Sequence, residues 1–277
     1  MKNKKVILTV ALCMSSLSIY GSGFSINPWV DSFLNFDLDA SFLYRKYNKV
    51  NGGYNPSSYG SNDRFTQLDV KGVVYPDVEL EFLVEFADTR KQRLGTQSAG
   101  FQGRYQFLDD RRGDFLALTS SFNIRYVSAR SLQDVSCPYH SRLNFELGQS
   151  IGKEFDFSGA FSLNPYTFLG VGQGIKGLPW IRTITAFDFL INQLHTIAPF
   201  VDGYFGFGKT HEVNINSFFG YGTIFHQSVD VGFYYRFDFS KIWGSFSLYY
   251  AYRPYAKNYP AGANTFILYY KFPFSLF

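Results

Sequence analysis

Carboxylates recur at two-residue spacing early in the chain. Asp37 and Asp39 come first, then Asp69 beside Lys71, then Glu79, Glu81 and Glu85. In an extended strand, side chains two apart stand on the same face, so each set forms one charged wall. Carboxylates on a shared wall can do acid–base chemistry when a histidine joins them, or they can line a polar passage. No Asp-x-His occurs, and His211-Glu212 are adjacent and so point oppositely. Further along, Arg125, Arg182 and Arg236 are the basic residues at matching positions, with Asp188, Asp202 and Asp230 among them. His226-Gln227-Ser228 places an imidazole and a hydroxyl on one face, where the first could act as base to the second. A three-residue match of this kind arises often by chance. Four scattered histidines and the cysteines have no metal-ligand spacing, and no glycine-rich phosphate loop precedes a helix, so no cofactor is expected.

The elements that carry these residues are strands. In "VELEFLVEF" (78–86), Val78, Leu80, Phe82, Val84 and Phe86 form an apolar face, and Glu79, Glu81 and Glu85 an acidic one. The same alternation recurs at 33–47, 64–75, 100–107, 115–127, 143–152, 155–163, 181–192, 197–207, 211–221, 228–237, 242–252 and 264–276. The second half is less regular: Phe200 and Tyr204 share a face with Asp202. Residues 48–63, 91–99, 128–142, 164–179 and 253–263 read as loops, and no domain boundary, internal repeat or low-complexity segment stands out.

The ends and composition narrow the class. Lys2, Lys4 and Lys5 precede the apolar run Val6 to Met14 and the small residues Gly21-Ser22-Gly23, which reads as a secretory signal peptide over 1–23. Removing it leaves 23 basic and 22 acidic residues, giving no case for nucleic acid. Cys137 is then the only cysteine, so no intramolecular disulfide can form. Aromatic residues make up 20% of the chain, with 32 Phe and 21 Tyr, while mean hydropathy is only −0.10. A barrel with a lipid-facing apolar band, aromatic girdles and a polar interior combines both features.

The alternation alone does not say which wall faces inward. A soluble sandwich would put the glutamates in water, and its polar faces would be rich in Lys and Glu. Here those faces are rich in Ser, Thr, Asn, Gln and Gly, with 17% charged residues overall. Tyr234-Tyr235, Tyr249-Tyr250 and Tyr269-Tyr270 suit an interfacial aromatic belt, and the chain ends in Phe277. In these features residues 24–277 resemble Gram-negative outer-membrane β-barrels. The resemblance is architectural and identifies no particular family. It implies an all-β, antiparallel transmembrane barrel in outer-membrane lipid, with a terminal aromatic read by the barrel assembly machinery. Phe272, Phe274 and Leu276 lie one step out of phase with Phe277, which departs from the usual terminal pattern. Thirteen candidate strands cannot close an even-numbered barrel. The phases clash within 180–228, so twelve strands are expected, with fourteen as the alternative.

Narrow solute-specific channels resemble the chain in size. A channel for small hydrophilic solutes or ions is therefore the expected function, with Asp37, Asp39, Asp69, Lys71, Glu79, Glu81, Glu85, Arg125, Arg182, Asp188, Asp202, Asp230 and Arg236 lining the pore. An acidic sector would face a basic one across the lumen, or the same charges would pair and fill it. A surface adhesin or receptor would act instead through loops 48–63, 91–99 and 253–263. A barrel hydrolase would depend on His226 and Ser228, a spacing similar to that of lipid A deacylases.

Overall fold

The computed structural model describes residues 23–54, 58–240 and 243–275. The signal peptide expected over 1–23 and the terminal Phe277 therefore lie almost wholly outside the described residues. Twelve long strands form the wall: β1 (Asn35–Tyr47), β2 (Ser61–Tyr75), β3 (Val78–Asp88), β4 (Gly95–Leu108), β5 (Ala117–Val127), β6 (Leu143–Gly152), β7 (Phe161–Gly174), β8 (Trp180–Ile191), β9 (His195–Phe207), β10 (Phe225–Ser240), β11 (Gly244–Lys257) and β12 (Asn264–Ser275). Each pairs antiparallel with its neighbours in sequence, and β12 pairs with β1 from Asn35↔Ser275 to Lys46↔Asn264, closing the ring. Closure leaves no strand edge unpaired, which is what a bilayer demands of a β-structure. Among the described residues no helix is long and apolar enough to cross a membrane.

The strand walls face as the alternation requires for lipid outside. Phe82 is 59% exposed on the exterior, whereas Glu81 beside it is 1% exposed within. Leu68, Val70, Phe122, Leu147, Val201, Phe233 and Phe266 continue the apolar exterior around the barrel. A closed barrel with an apolar exterior and charged interior is the outer-membrane architecture, and it places the chain across a bilayer.

The short connections gather at one end. They include Pro76-Asp77 between β2 and β3, and a three-residue turn between β8 and β9 in which Asn192 and Gln193 both have positive φ. Residues 48–54, 58–60, 128–142 and 208–224 lie at the other end. By the rule that short turns face the periplasm, the long loops are extracellular. There Gly53–Tyr54 pairs with Val213–Asn214, and Lys49–Val50 with Pro260–Ala261. These pairings tie three loops into a roof.

Two expected strands are corrected. The candidate at 211–221 is loop, extended only at Val213–Asn214. The candidate at 155–163 divides into a short strand at Phe155–Ser158 and the start of β7, against which it folds back, and β7 runs through Gly174, so the loop expected at 164–179 shrinks to 175–179. These two shifts remove the clash of phases. β7 escaped detection because its inward face carries Tyr166, Phe168, Gly170 and Gly172 instead of polar side chains. The tyrosine pairs are corrected too: Tyr234, Tyr249 and Tyr269 are buried inside, and only the second of each pair faces out. Adjacent strand residues must take opposite faces, so both could not join one belt.

An arginine at Phe82 would put a charge among lipid tails. Phe82→Arg should destabilise the barrel by about 2–4 kcal/mol, read from reversible denaturant unfolding in lipid vesicles. An effect no larger than that of Phe82→Leu would mean that this face does not meet lipid.

Candidate functional site in the barrel lumen

The charged residues singled out from the sequence all point into the barrel. Asp37, Asp39, Asp69, Lys71, Glu79, Glu81, Arg125, Arg182, Asp188, Asp202, Asp230 and Arg236 are buried, and the Glu85 side chain is 13% exposed. Alternation sufficed to place them. It also placed Arg45, Arg104, Glu146 and Lys271 on the same inner wall, which Asp63 and Arg253, expected in loops, join. Register then determines how they meet.

Opposed acidic and basic sectors do not form, because each ion pair closes with a close neighbour on the wall. Lys71 is directly opposite Asp37 on β1 and Glu81 on β3, and its Nζ lies 3.2 Å from Asp39 and 3.7 Å from Asp37. Lys271 reaches Asp37 at 2.8 Å and Asp31 at 3.4 Å. Arg104 meets Glu79 at 2.5 Å, in register across β3 and β4. Arg125 meets Glu85 at 2.6 Å, Arg45 meets Asp63 at 2.9 Å, and Arg253 meets Asp230 at 2.6 Å. Asp39 and Asp69 are like charges in register, relieved by Lys71 and by a hydrogen bond that the Tyr269 hydroxyl donates to Asp39. Carboxylates still outnumber cations along this wall, since Asp188, Asp202 and Glu146 add further negative charge.

The wall encloses a segment that the alternation did not reveal. Residues 23–30 thread the lumen and 31–34 turn outward into β1, with Phe24, Ile26 and Trp29 at most 3% exposed and Phe33 51% exposed. Their backbone is held by wall side chains. Ser25 N–H donates to Glu81 (3.0 Å) and Val30 N–H to Gln106 (3.2 Å). The carbonyls of Gly23, Ser25, Ile26 and Pro28 accept from Gln67 (2.9 Å), Gln102 (3.1 Å), Ser150 (2.5 Å) and Thr119 (2.5 Å). Arg104 donates to the Asn27 carbonyl, and Trp29 Nε1 to Asp110 at 2.9 Å. These partners all belong to β2–β6 or the turn after β4. On the opposite side Ile26 and Trp29 join Tyr166, Phe168, Phe200, Tyr234, Tyr249 and Tyr269 in one apolar cluster from β7–β12. Two wall glycines make room. A Cβ at Gly100 would lie 2.5 Å from the Phe24 ring, and one at Gly152 would lie 2.7 Å from Pro28. "GFSINPWV" has no regular period, so the sequence signal for this segment was weak.

The outer half is closed differently. Residues 128–142 fold inward, capped by a short helical turn at Ala129–Leu132, and hang Pro138 inside the lumen. The Pro138 carbonyl accepts from Tyr204 at 3.0 Å, and the Ser136 carbonyl accepts from Arg45. Cys137 is buried in this loop. Above it Val213, Ile215, Phe218 and Tyr221 pack on Tyr47, Val50, Tyr59, Val135 and Tyr259. Space remains around Pro138. A cavity of about 30 Å³ lies between Phe24, Arg125, His140, Trp180 and Arg182, and one of about 60 Å³ between Gly23, Arg45, Gln67 and Glu85. A third, about 10 Å³, is bounded by Asp202, Ser228, Asp230 and Arg253.

His140 and His226, separated by 86 positions in sequence, meet here with ring centroids 5.0 Å apart. The His140 ring also lies tilted against Trp180, centroids 4.3 Å apart, and its Nδ1 is 3.3 Å from the Leu178 carbonyl. Burial pushes the His140 imidazole well below its ordinary value of 6.5, and the nearby His226 pushes in the same direction. The His-x-Ser arrangement does not assemble. His226 Nδ1 is 3.1 Å from the Ile224 carbonyl, and its Nε2 has no partner among the described residues. His226 and Ser228 both face the interior, away from lipid.

No known protein-family model matches the chain, and no curated protein matches it. Solved structures do. The fold is similar to an outer membrane channel from Pseudomonas putida F1, with a TM-score of 0.66 at 9% identity over 88% of this chain and 97% of that one. It is similar to the NanC porin, with a TM-score of 0.58 at 11% identity over 85% of this chain and 98% of that one. The translocator domain of the autotransporter NalP from Neisseria meningitidis matches with a TM-score of 0.51 at 8% identity, over 88% of this chain and 90% of that one. At such identities the likeness is one of fold.

Two outcomes are expected from this geometry. Gly100→Val should push the Phe24 ring off the wall, lowering stability by about 1–3 kcal/mol and exposing the segment at 23–30 to protease. Unchanged protection would mean that the segment does not seat against Gly100. The second concerns pH. His140 is neutral when its loop is docked, whereas a released loop protonates as pH falls through about 6.5. Docking is therefore strongest above that value and weakens below it, by about 1.4 kcal/mol per pH unit, until the folded group itself protonates. Hydrogen exchange in 128–142 should rise at pH 5, and His140→Phe should flatten the response.

Proposed function

We propose that the protein is an outer-membrane channel for the passive passage of small hydrophilic solutes or ions. The observation that supports this best is the inner wall, where buried charged side chains line a closed barrel and leave space around Pro138. Buried ion pairs contribute little net stability, and apolar residues of similar volume often serve a fold as well. A wall that keeps them is suited to solutes that would otherwise lose their hydration. The excess of carboxylates favours cations over anions. Passage requires the loop 128–142, the segment 23–30, or both to yield, because together they occupy the lumen.

The coverage of the outer end by the apolar contacts of 208–224 favours a second reading, a barrel that binds partners through its loops and conducts nothing. A catalytic reading has less support, since His226 engages a backbone carbonyl and not Ser228.

Single-channel recording of the refolded protein in a planar bilayer tests the proposal. The expected result is discrete current steps with a cation-selective reversal potential under a salt gradient. Asp37→Asn/Glu79→Gln/Glu81→Gln should leave Lys71 and Arg104 undercompensated and move that potential toward anions. A heat-modifiable, folded barrel without current would end the channel reading in favour of the surface-binding one.

A further inference from the structure

The two rims of the barrel differ in charge. At the periplasmic end the arginines are tied to carboxylates: Arg111 to Glu154 at 2.8 Å, and Arg112 to Asp77 at 2.5 Å and Asp109 at 3.0 Å. Asp114 and Asp156 add exposed negative charge there. At the extracellular end cations predominate. Lys46, Arg64, Arg142 and Lys257 are all exposed just above the apolar exterior. Arg142 lies over the outward ring of Tyr126 and Lys257 over that of Phe225. Asp88 stands among them, 3.8 Å from Arg64 with both side chains open to the surroundings.

Two of these cations meet where the ring closes. Lys46, near the end of β1, is in register with Asn62 of β2 and Asn264 of β12. Arg64 lies two residues along β2 from Asn62, opposite Tyr44. By parity all four share the outward face with Phe42, Leu68 and Phe266. The two amides are turned one way. Asn62 Oδ1 accepts from the Tyr44 hydroxyl at 3.2 Å, and Asn264 Oδ1 accepts from the Tyr250 hydroxyl at 2.9 Å. With the oxygen engaged, each amide offers its NH₂, a double donor. Lys46 has no carboxylate partner among the described residues. The patch thus presents an ammonium, a guanidinium and two amide NH₂ groups.

A surface of donors calls for an anion with several accepting oxygens. Its height and direction fix where that anion comes from. Leu38 and Phe42 lie below it on β1, and Leu68 and Val70 on β2, so it stands where the apolar band ends and lipid headgroups begin. The lumen is on the other side of the wall, so a solute crossing the pore does not pass it. We propose that this patch binds the phosphate of an anionic lipid in the outer leaflet, with the acyl chains against Phe42, Leu68 and Phe266. A phosphate monoester carries up to two negative charges at neutral pH, which match Lys46 and Arg64, and has oxygens left for Asn62 and Asn264. A zwitterionic headgroup would bring its own cation against Lys46. The bound lipid would also bridge β12, β1 and β2 across the seam that closes the barrel.

Native mass spectrometry of the folded, full barrel from detergent micelles tests it, with dioleoyl phosphatidate as probe and dioleoyl phosphatidylcholine, which has the same chains, as comparison. Phosphatidate should bind about tenfold more tightly, as two cations at a lipid surface allow. Lys46→Gln/Arg64→Gln should bring it down to the level of phosphatidylcholine, with folding checked by heat-modifiable gel mobility. Lys176→Gln/Lys209→Gln removes the same charge from exposed positions elsewhere on the outer end and should leave the preference intact. Equal binding of the two lipids would overturn the assignment. So would an equal loss in both double variants, which would leave only diffuse attraction by net charge. Millimolar inorganic phosphate should not displace the lipid, and displacement would make this a free-anion site instead. None of these readings depends on whether the barrel conducts.

Discussion

Closing twelve strands into a ring fixes how much must go inside it. An eight-stranded barrel is just wide enough for its own inward side chains to fill, and the diameter grows with strand number. At twelve, the wall leaves a central volume that must hold water or be occupied by chain. This protein does some of each. Residues 23–30 fill the inner half, the loop 128–142 descends into the outer half, and the remaining space collects around Pro138. The segment, the inward loop and the roof all answer to that one geometric demand.

Strand periodicity made much of this legible in advance. A residue's parity on a strand assigns it to lipid or lumen, so the apolar exterior from Leu38 to Phe274 and the charges from Asp37 to Arg236 could be read from one sequence. The reading lost its hold where the inner face is not polar. Tyr166, Phe168, Phe200, Tyr234 and Tyr249 point inward and match the outer face in hydrophobicity. That is why β7 was displaced and why the tyrosine pairs were assigned to the bilayer interface. In the loop 208–224, Val213 and Ile215 alternate as a strand would, yet they pack into a roof and not a wall.

What lay beyond the sequence was long-range. Nothing local marks Phe24 as the neighbour of Gly100, or His140 as the neighbour of His226. Likewise, parity places Lys71 and Asp37 on the inner wall, but only cross-strand register makes them partners. Charge pairing across a barrel is thus a property of registers, which loop lengths fix and alternation does not.

Those registers divide the lumen into two unlike halves. The strands β2–β6 present hydrogen-bonding side chains, and Gln67, Glu81, Gln102, Thr119 and Ser150 each take one backbone group of the threaded segment. The strands β7–β12 present rings, which take Ile26 and Trp29. A segment without internal secondary structure needs both, because its amides must be satisfied and its apolar side chains must leave water. A uniformly charged wall would leave Ile26 and Trp29 unmatched, and a uniformly aromatic one would strand the amides. The aromatic inner face that obscured β7 in the sequence is therefore the surface that allows a stretch of bare backbone to be held inside a membrane barrel.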